Sequence, residues 1–372
     1  MLLLSAGACD MAAPAGEAAI PPPAPPVGSG LADRRAPPPP EDRQADRIAV
    51  GAHHTCARLA SDGSVWCWGS NQHGQLGWGE PSLNMPTRTV PTRVEGLGGA
   101  VEIALGASHG CALMKDGGVS CWGAGDRGQL GDGSTVDRYR PAAVPGLAGA
   151  AGIGAGEAAT CAAMTSGEVM CWGGLPARGE AAPAAAVAKG KAPAKVGGLS
   201  GVIGVAVGGA HACALGKDGE VRCWGANGAG QLGDGTTEGR ATPVAVKGLA
   251  GATRIDAGPA STCALLRDRR VVCWGRIAEQ AIGPLPKPMS GGSGVAEIAG
   301  RCVRGTEGSV SCRRGDGLEV MEEGGAARIA AGPSHGCLIT AGGEVRCWGS
   351  NTFGQLGDGS KLARTAPTPV RW

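Results

Sequence analysis

The sequence predicts an all-β protein, a closed ring of seven propeller blades with four short strands in each. Three observations lead to this prediction. Cysteine pairs recur seven times, ten residues apart in six repeats and eleven in one. Each pair lies among short apolar runs separated by Gly, Asn and Asp, which are turn-forming residues. The repeat length is 35–55 residues, and four strands in about 40–50 residues are typical of a propeller blade.

The cysteine pairs predict β-hairpins whose register follows from the turn. In the fourth repeat the loop 217–219 ends in Gly, which suits a type I turn closed by a left-handed residue. Centring this turn pairs Leu215 with Val221 and Cys213 with Cys223, and all four side chains share one face. Directly opposed Cβ atoms lie about 4.5–5.5 Å apart, a distance that a disulfide can close with modest adjustment.

We therefore expect one disulfide within each repeat. Reduced core cysteines are the alternative, but they would not need to oppose each other in every repeat. No metal site is expected, because zinc ligation uses Cys-x2–4-Cys spacing and the chain has none. The longer first pair predicts a β-bulge near Arg58. The expected pairs are Cys56–Cys67, Cys111–Cys121, Cys161–Cys171, Cys213–Cys223, Cys263–Cys273, Cys302–Cys312 and Cys337–Cys347.

Four short motifs recur in the same order: Gly-x-x-His-x-Cys-x-Leu, Asp-Gly-x-Val, Trp-Gly-x-Asn and Gly-Gln-Leu-Gly. This pattern resembles the repeat of the regulator-of-chromosome-condensation family over residues 46–372. Repeats 3, 5 and 6 lack Gly-Gln-Leu-Gly, and repeat 6 has Arg313 in place of Trp. Repeat 5 has Arg269 where the turn requires Gly, so we expect a strained turn or another turn type. The resemblance implies a seven-bladed β-propeller with four strands per blade, a fold that hosts several functions.

The N-terminal part of the chain predicts a tether. Residues 1–9 resemble the end of a bacterial lipoprotein signal, and Cys9 is the one cysteine outside the pairs. We therefore expect Cys9 to be lipidated. Residues 10–45 are rich in Pro and Ala and predict a disordered spacer. No apolar run is long enough for a transmembrane helix, so contact with a membrane is expected only through the lipid.

Motifs that suggest catalysis are explained by the repeat. Residues 106–110 and 332–336 match Gly-x-Ser-x-Gly, but that motif needs a strand-to-helix turn and both copies precede a predicted strand. Five of the six histidines precede a first cysteine, which favours a packing role. We expect no enzymatic activity, no catalytic residues and no cofactor. The net charge is +2, and the basic residues form no stripe, which argues against a nucleic-acid partner.

These inferences predict a non-enzymatic protein-interaction scaffold that uses one rim of the propeller. Because disulfides persist in oxidising compartments, the chain is expected to be exported to the cell envelope or beyond. We expect it to be tethered through a lipid on Cys9 and to be monomeric. The resemblance implies two alternatives. One is a secreted enzyme inhibitor similar to the propeller-type β-lactamase inhibitory protein. The other is guanine-nucleotide exchange on a small GTPase, as in the founding family member.

The segment after each Trp-Gly is the variable part of the repeat, so these segments should lie on one rim. Most contain small residues, but repeats 1 and 2 differ. Trp78 lies outside the repeated Trp position, and Arg138, Tyr139 and Arg140 include the only Tyr of the chain. Trp, Tyr and Arg are enriched in interface hot spots. These four residues are the predicted partner-binding site, with packing of Trp78 under its own loop as the alternative.

Overall fold

The computed structural model describes residues 43–79, 87–174, 190–315 and 317–372. The described strands form seven antiparallel sheets of four strands each, which confirms the predicted all-β propeller. All seven sheets lie within one compact unit, Pro38–Trp372. The expected signal-like segment, with Cys9, and nearly all of the expected spacer lie outside the described residues. Within the described ranges, no helix has the length and apolarity needed to cross a membrane.

Strands are numbered in chain order, and each blade takes four consecutive strands. Blade 1 contains β1 (Ala45–Val50), β2 (His54–Leu59), β3 (Val65–Ser70) and β4 (Thr87–Arg93), and blade 2 contains β5 (Ala100–Leu105), β6 (His109–Met114), β7 (Val119–Gly123) and β8 (Arg138–Ala143). Blade 3 contains β9 (Ala150–Ala155), β10 (Ala159–Met164), β11 (Val169–Gly173) and β12 (Ala194–Lys195), and blade 4 contains β13 (Val202–Val207), β14 (His211–Gly216), β15 (Val221–Gly225) and β16 (Arg240–Ala245). Blade 5 contains β17 (Ala252–Ala257), β18 (Ala260–Leu266), β19 (Val271–Ile277) and β20 (Gln280–Pro288), and blade 6 contains β21 (Val295–Ala299), β22 (Cys302–Gly305), β23 (Val310–Arg314) and β24 (Gly317–Glu322). Blade 7 contains β25 (Ala326–Ala331), β26 (His335–Thr340), β27 (Val345–Gly349) and β28 (Arg364–Pro369).

The first strands of the blades line the central channel, except in blade 6, where Gly300 and Arg301 just after the strand line it. The fourth strands lie at the outside. Because successive strands are antiparallel, the loops between first and second strands and between third and fourth strands share one end of the ring. We call this end the loop rim. The opposite end, the turn rim, carries the turns between second and third strands and the connections from blade to blade. The described parts of the variable segments after Trp-Gly therefore lie together on the loop rim, as expected.

The predicted hairpin register is confirmed. Cys213 lies opposite Cys223 and Leu215 opposite Val221, and Gly219 has a φ of 84°. All seven expected disulfides are present, with Cα atoms 4.0–4.1 Å apart. The cysteines are buried between blades, so each bond staples a hairpin from inside the core.

The bulge predicted near Arg58 is wrong. The ladder runs regularly through Cys56–Cys67 to the pair Arg58–Val65. The extra residue lies in the turn, where the Gly63 N–H donates to the Leu59 carbonyl at 3.1 Å. A longer turn accommodates the residue without breaking a ladder hydrogen bond, whereas a bulge would leave backbone groups unpaired.

Arg269 adopts the conformation of the glycine that it replaces. Its φ is 63°, so the turn of blade 5 keeps its type and is strained, at a cost of about 1–2 kcal/mol. The position is constrained because the Arg269 carbonyl accepts a hydrogen bond from the Val295 N–H of the next blade, at 3.0 Å. The Gly219 carbonyl accepts the equivalent bond from Ala252 at 3.1 Å. The other blades have Gly63, Gly117, Gly167, Gly219, Gly308 and Gly343 at this position, all with positive φ.

The hydrophobic core is divided among the junctions between blades. At the junction of blades 2 and 3, Leu113 and Leu130 pack with Ile153 and Trp172. The Trp side chains of the Cys-Trp-Gly motifs are buried in this way. The ring closes by the same kind of packing, with Trp68 of blade 1 against residues of blade 7. Burial of such large aromatic side chains contributes most of the energy that joins neighbouring blades.

Candidate protein-interaction surface

A repeated polar network fixes the loops of the loop rim. At the junction of blades 2 and 3, the Gln129 carbonyl accepts hydrogen bonds from Trp172 Nε1 and Thr160 Oγ1, both at 2.9 Å. The Thr160 hydroxyl also contacts His109 Nε2 at 2.9 Å. Since the hydroxyl proton goes to the carbonyl, His109 Nε2 carries the proton that it donates to Thr160 Oγ1. The network ties the Gly-Gln-Leu-Gly segment of one blade to the core of the next.

The same network recurs at two other junctions and is incomplete elsewhere. Between blades 4 and 5 it comprises His211, Thr262, Trp274 and the Gln231 carbonyl, and between blades 7 and 1 it comprises His335, Thr55, Trp68 and the Gln355 carbonyl. Blade 2 has Gly110 at the threonine position, so His54 lacks a hydroxyl partner. Blade 3 lacks Gly-Gln-Leu-Gly, and Trp224 Nε1 has no partner among the described residues.

The four histidines at the equivalent position of blades 1, 2, 4 and 7 are buried and neutral. Burial lowers the pKa of His109 and of His211 to about 4, and that of His54 and of His335 to about 3. For His109 and His211 the Nδ1 atom is buried without a hydrogen-bond partner, so a second proton there would be an unpaired donor. In the described part of the chain, no three His, Cys, Asp or Glu side chains are grouped to hold a metal ion. His109, His211 and His335 each form a hydrogen bond with a threonine hydroxyl of the next blade.

A second set of contacts shapes each long loop between third and fourth strands. In blade 4, Asn227 Oδ1 accepts from the Leu232 N–H at 2.9 Å, and its Nδ2 donates to the Thr236 and Glu238 carbonyls. Asp234 then pairs with Arg240, at 3.0 Å. Blade 7 repeats the arrangement with Asn351, Asp358 and Arg364, and blade 2 keeps the pair Asp132–Arg138. These loops are held by their own side chains and are therefore preorganised.

Trp78 takes the place of the aspartate in blade 1. Its ring lies under Arg88, whose Cζ atom is 3.8 Å from the ring centroid. Arg88 is opposite Gly69 in the ladder, as Arg138 is opposite Gly123. A cation–π contact thus replaces the carboxylate–arginine pair of the other blades. Trp78 is partly buried and packs on the core of the junction between blades 1 and 2, whereas residues 80–86 of its own loop lie outside the described residues.

The structure brings the four predicted partner-binding residues together. The Gly79 N–H, next to Trp78, donates to the Tyr139 carbonyl at 2.9 Å, and the Tyr139 ring lies close to Gly74. Arg140 forms an ion pair with Glu95 at 3.2 Å, and Arg138 pairs with Asp132 at 2.8 Å. Trp78, Tyr139 and Arg140 therefore have intramolecular contacts at the junction of blades 1 and 2, and Arg138 has one within the blade 2 loop. Their role in binding a partner stays a prediction.

Sequence reasoning missed two exposed apolar residues on the same rim. Val136 is 64% exposed and Leu362 is 65% exposed. They occupy equivalent positions, four residues after Asp132 and Asp358 in their loops. Blades 2 and 7, which carry them, are the two neighbours of blade 1. Aligning the loops on their aspartates would have revealed this position in the sequence. Blade 4 has Glu238 there, where blades 2 and 7 have an apolar residue.

The loop rim also carries a concave feature. A cavity of about 670 Å³ opens among the inner strands and their loops, and its wall is largely Gly and Ala backbone. Its lining includes the charged residues Glu157 of blade 3, Asp256 and Arg276 of blade 5, and Arg301 of blade 6. Burial raises the pKa of Asp256 to about 6, although its carboxylate accepts a hydrogen bond from the Gly300 N–H at 2.7 Å. A cavity of this size lies within the range of ligand-binding clefts.

The two serine motifs do not form a nucleophile elbow. Both lie in loops of the loop rim and are followed by strands β6 and β26. Ser334 Oγ donates to the Ala52 carbonyl of blade 1, at 2.8 Å, and thereby helps to close the ring. The hydroxyl is committed to a structural contact, and the strand-to-helix geometry of a nucleophile elbow is missing at both places.

The fold and the surface define the class: a seven-bladed β-propeller stapled by one disulfide in each blade. Models of the regulator of chromosome condensation (RCC1) repeat match residues 62–113, 116–163 and 218–265, and also 46–75, 100–129, 202–231 and 326–355. Together these spans cover more than half of the chain. The chain belongs to the RCC1-repeat family.

Known proteins share the repeat to different extents. The human E3 ubiquitin-protein ligase HERC2 is 32% identical over 189 residues, which is 50% of this chain and 3% of that protein. The Ultraviolet-B receptor UVR8 of Arabidopsis thaliana is 28% identical over 364 residues, covering 87% of this chain and 69% of the receptor. The chain spans at most 10% of the length of three human HERC ligases that it matches, so the match concerns the repeat.

A solved structure shows the same fold. Prp20p from Saccharomyces cerevisiae matches with a TM-score of 0.73 at 20% identity, covering 89% of this chain and 88% of that one. At this identity the likeness concerns the fold alone. It supports a propeller scaffold and leaves the function to be argued from the surface.

Proposed function

We propose that the chain is an exported, non-enzymatic scaffold that binds a protein partner on its loop rim. The observation that carries this proposal is the pair of exposed apolar side chains, Val136 and Leu362, on loops that are internally cross-linked by hydrogen bonds. Rigid loops lose little conformational entropy on binding, and variable loops on a rigid scaffold are where binding functions concentrate. Prp20p, which shares the fold, is described as binding Gsp1p and histones.

The rim is asymmetric, which favours one binding arc over a uniform ring. The loop between third and fourth strands has fourteen residues in blades 2, 4 and 7, but only two in blades 5 and 6. The predicted site at the junction of blades 1 and 2 lies within the arc of long loops. We propose that Val136 and Leu362 are the apolar anchors and that Arg138, Tyr139 and Arg140 form the polar border.

The test compares matched exposed residues on the two rims. Tagged chain carrying both Val136→Asp and Leu362→Asp should lose most captured partner from the native cell envelope. Ile203→Asp is the control, because Ile203 is 60% exposed and lies near the turn rim. Equal thermal stability of all variants is required. Capture that survives the double substitution, or that fails equally in the control, contradicts the loop rim as the binding surface.

Export is the second part of the proposal. The seven disulfides are consistent with an extracellular or envelope location, and we propose lipidation of Cys9 as the anchor and a monomeric state. Metabolic palmitate labelling should be lost in Cys9→Ser, while a serine substitution of a paired cysteine leaves labelling intact. Free thiols throughout the native protein would contradict export and favour nucleotide exchange in the cytoplasm or nucleus.

A further inference from the structure

The turn of blade 5 on the turn rim has an unusual charge. Residues 267–270 are Arg-Asp-Arg-Arg, with a net charge of +2. The equivalent turns of the other six blades have a net charge of 0 or −1, as in the Lys-Asp-Gly-Glu of residues 217–220. All four residues of the blade 5 turn are exposed. One turn of this rim is therefore basic, and its neighbours are neutral or acidic.

The same turn carries one of the two described non-glycine residues with a positive φ, the other being Ala278 on the loop rim. Arg269 has a φ of 63°, where every other blade uses glycine. Replacing the arginine by glycine would relieve the strain and keep the bond between its carbonyl and the Val295 N–H. Backbone strain that a simple substitution would remove is found preferentially at functional sites. Charge and strain thus point independently to the same residue.

The guanidinium groups of the turn are available to a partner. Arg270 pairs with Asp268 at 2.7 Å, whereas Arg267 and Arg269 form no ion pair with any described residue. The aliphatic part of Arg267 lies near Gly251, in the connection from blade 4. Two exposed guanidiniums on one turn can receive carboxylates through paired N–H groups.

We propose that the 267–270 turn binds a short acidic segment of a partner protein. The size of the segment follows from the rim, because each neighbouring turn has a net charge of −1: one has Asp218 and Glu220 beside Lys217, and the other has Glu307. A membrane surface or a nucleic acid would extend over these acidic turns and be repelled, since the field of the basic turn is screened within about 8 Å. A short acidic peptide meets only the basic turn. This surface is separate from the loop rim and does not depend on it.

The test uses the full oxidised chain and a fluorescent peptide of alternating glutamate and glycine, with binding measured by anisotropy. Arg269→Gly should bind the peptide about tenfold more weakly, while its unfolding temperature rises. Arg269→Lys keeps the positive charge but lacks the paired N–H groups of the guanidinium. Its affinity for the peptide should therefore lie between those of the wild type and Arg269→Gly. The control Lys361→Ala removes one exposed positive charge on the loop rim and should leave affinity unchanged.

Three outcomes would overturn the proposal. The first is an Arg269→Gly variant that gains stability and binds the peptide as the wild type does, which would make the arginine a merely tolerated residue. The second is an equal loss in Lys361→Ala, which would show that the peptide responds to net charge. The third is tighter binding of phosphatidylserine vesicles or of a DNA duplex than of the peptide. The loop rim enters only through the control Lys361→Ala, which is scored by peptide binding and not by capture of a partner, so the proposed function is tested separately.

Discussion

Mild acid should destabilise the propeller steeply, because four buried histidines stay neutral in the folded state and become charged on unfolding. An unfolded histidine has a pKa of about 6.5, and burial lowers the folded values to about 3 for His54 and His335 and about 4 for His109 and His211. The unfolded chain therefore binds about four more protons between these limits. Their contribution to stability is complete above about pH 6.5 and is lost as the pH falls.

Asp256 acts in the opposite direction. Its pKa is raised to about 6 by burial, against about 3.9 when unfolded, so the folded state takes up its proton first and gains stability on acidification. The net difference near pH 5 is about three protons, or about 4 kcal/mol of unfolding free energy per pH unit. Burial also raises the pKa of Glu102, which lowers this slope somewhat. The loss is large against a typical total stability of about 5–15 kcal/mol.

The slope can be measured by denaturant unfolding of the oxidised chain, followed by tryptophan fluorescence at a series of pH values. His109→Gln keeps a donor toward Thr160 without a titrating ring and should reduce the slope by about 1.4 kcal/mol per pH unit. Asp256→Asn removes the opposing group and should increase it by a similar amount. A wild-type slope near zero, or the same slope in all three proteins, would refute the assignment of buried neutral histidines.

Three further predictions concern the turns, the blade 1 loop and the staples. Arg269→Gly should raise the free energy of unfolding by about 1 kcal/mol, measured by denaturant unfolding, because the left-handed strain disappears. Trp78→Asp should restore the carboxylate–arginine pair with Arg88 and keep stability within about 1 kcal/mol of wild type; a loss of several kcal/mol would show that packing of the indole dominates. Replacing Cys213 and Cys223 together by Ala should cost about 2–3 kcal/mol, and non-reducing peptide mapping of the wild type should find these two joined.

The limits of sequence reasoning are clearest in the first hairpin. The spacing of eleven between Cys56 and Cys67 showed that one residue was extra, but it did not show whether the ladder or the turn would hold it. Both solutions have the same length and similar composition. The structure places it in the turn at Gly63, because the ladder then keeps all of its hydrogen bonds. The spacing between the cysteines does not show which of the two arrangements keeps more backbone hydrogen bonds.

The sequence by itself determined the blade: a fixed cysteine spacing and a three-residue turn leave one register, and that register sets the disulfide and the buried face. These are local relations between residues about ten positions apart. Only the tertiary structure decided what lies between blades. Thr55 forms a hydrogen bond with His335 where blade 7 meets blade 1. Tyr139, one of the predicted binding residues, packs on Gly74 of the neighbouring blade. Such contacts depend on how rigid blades are placed side by side, and no periodicity within a single repeat encodes that placement.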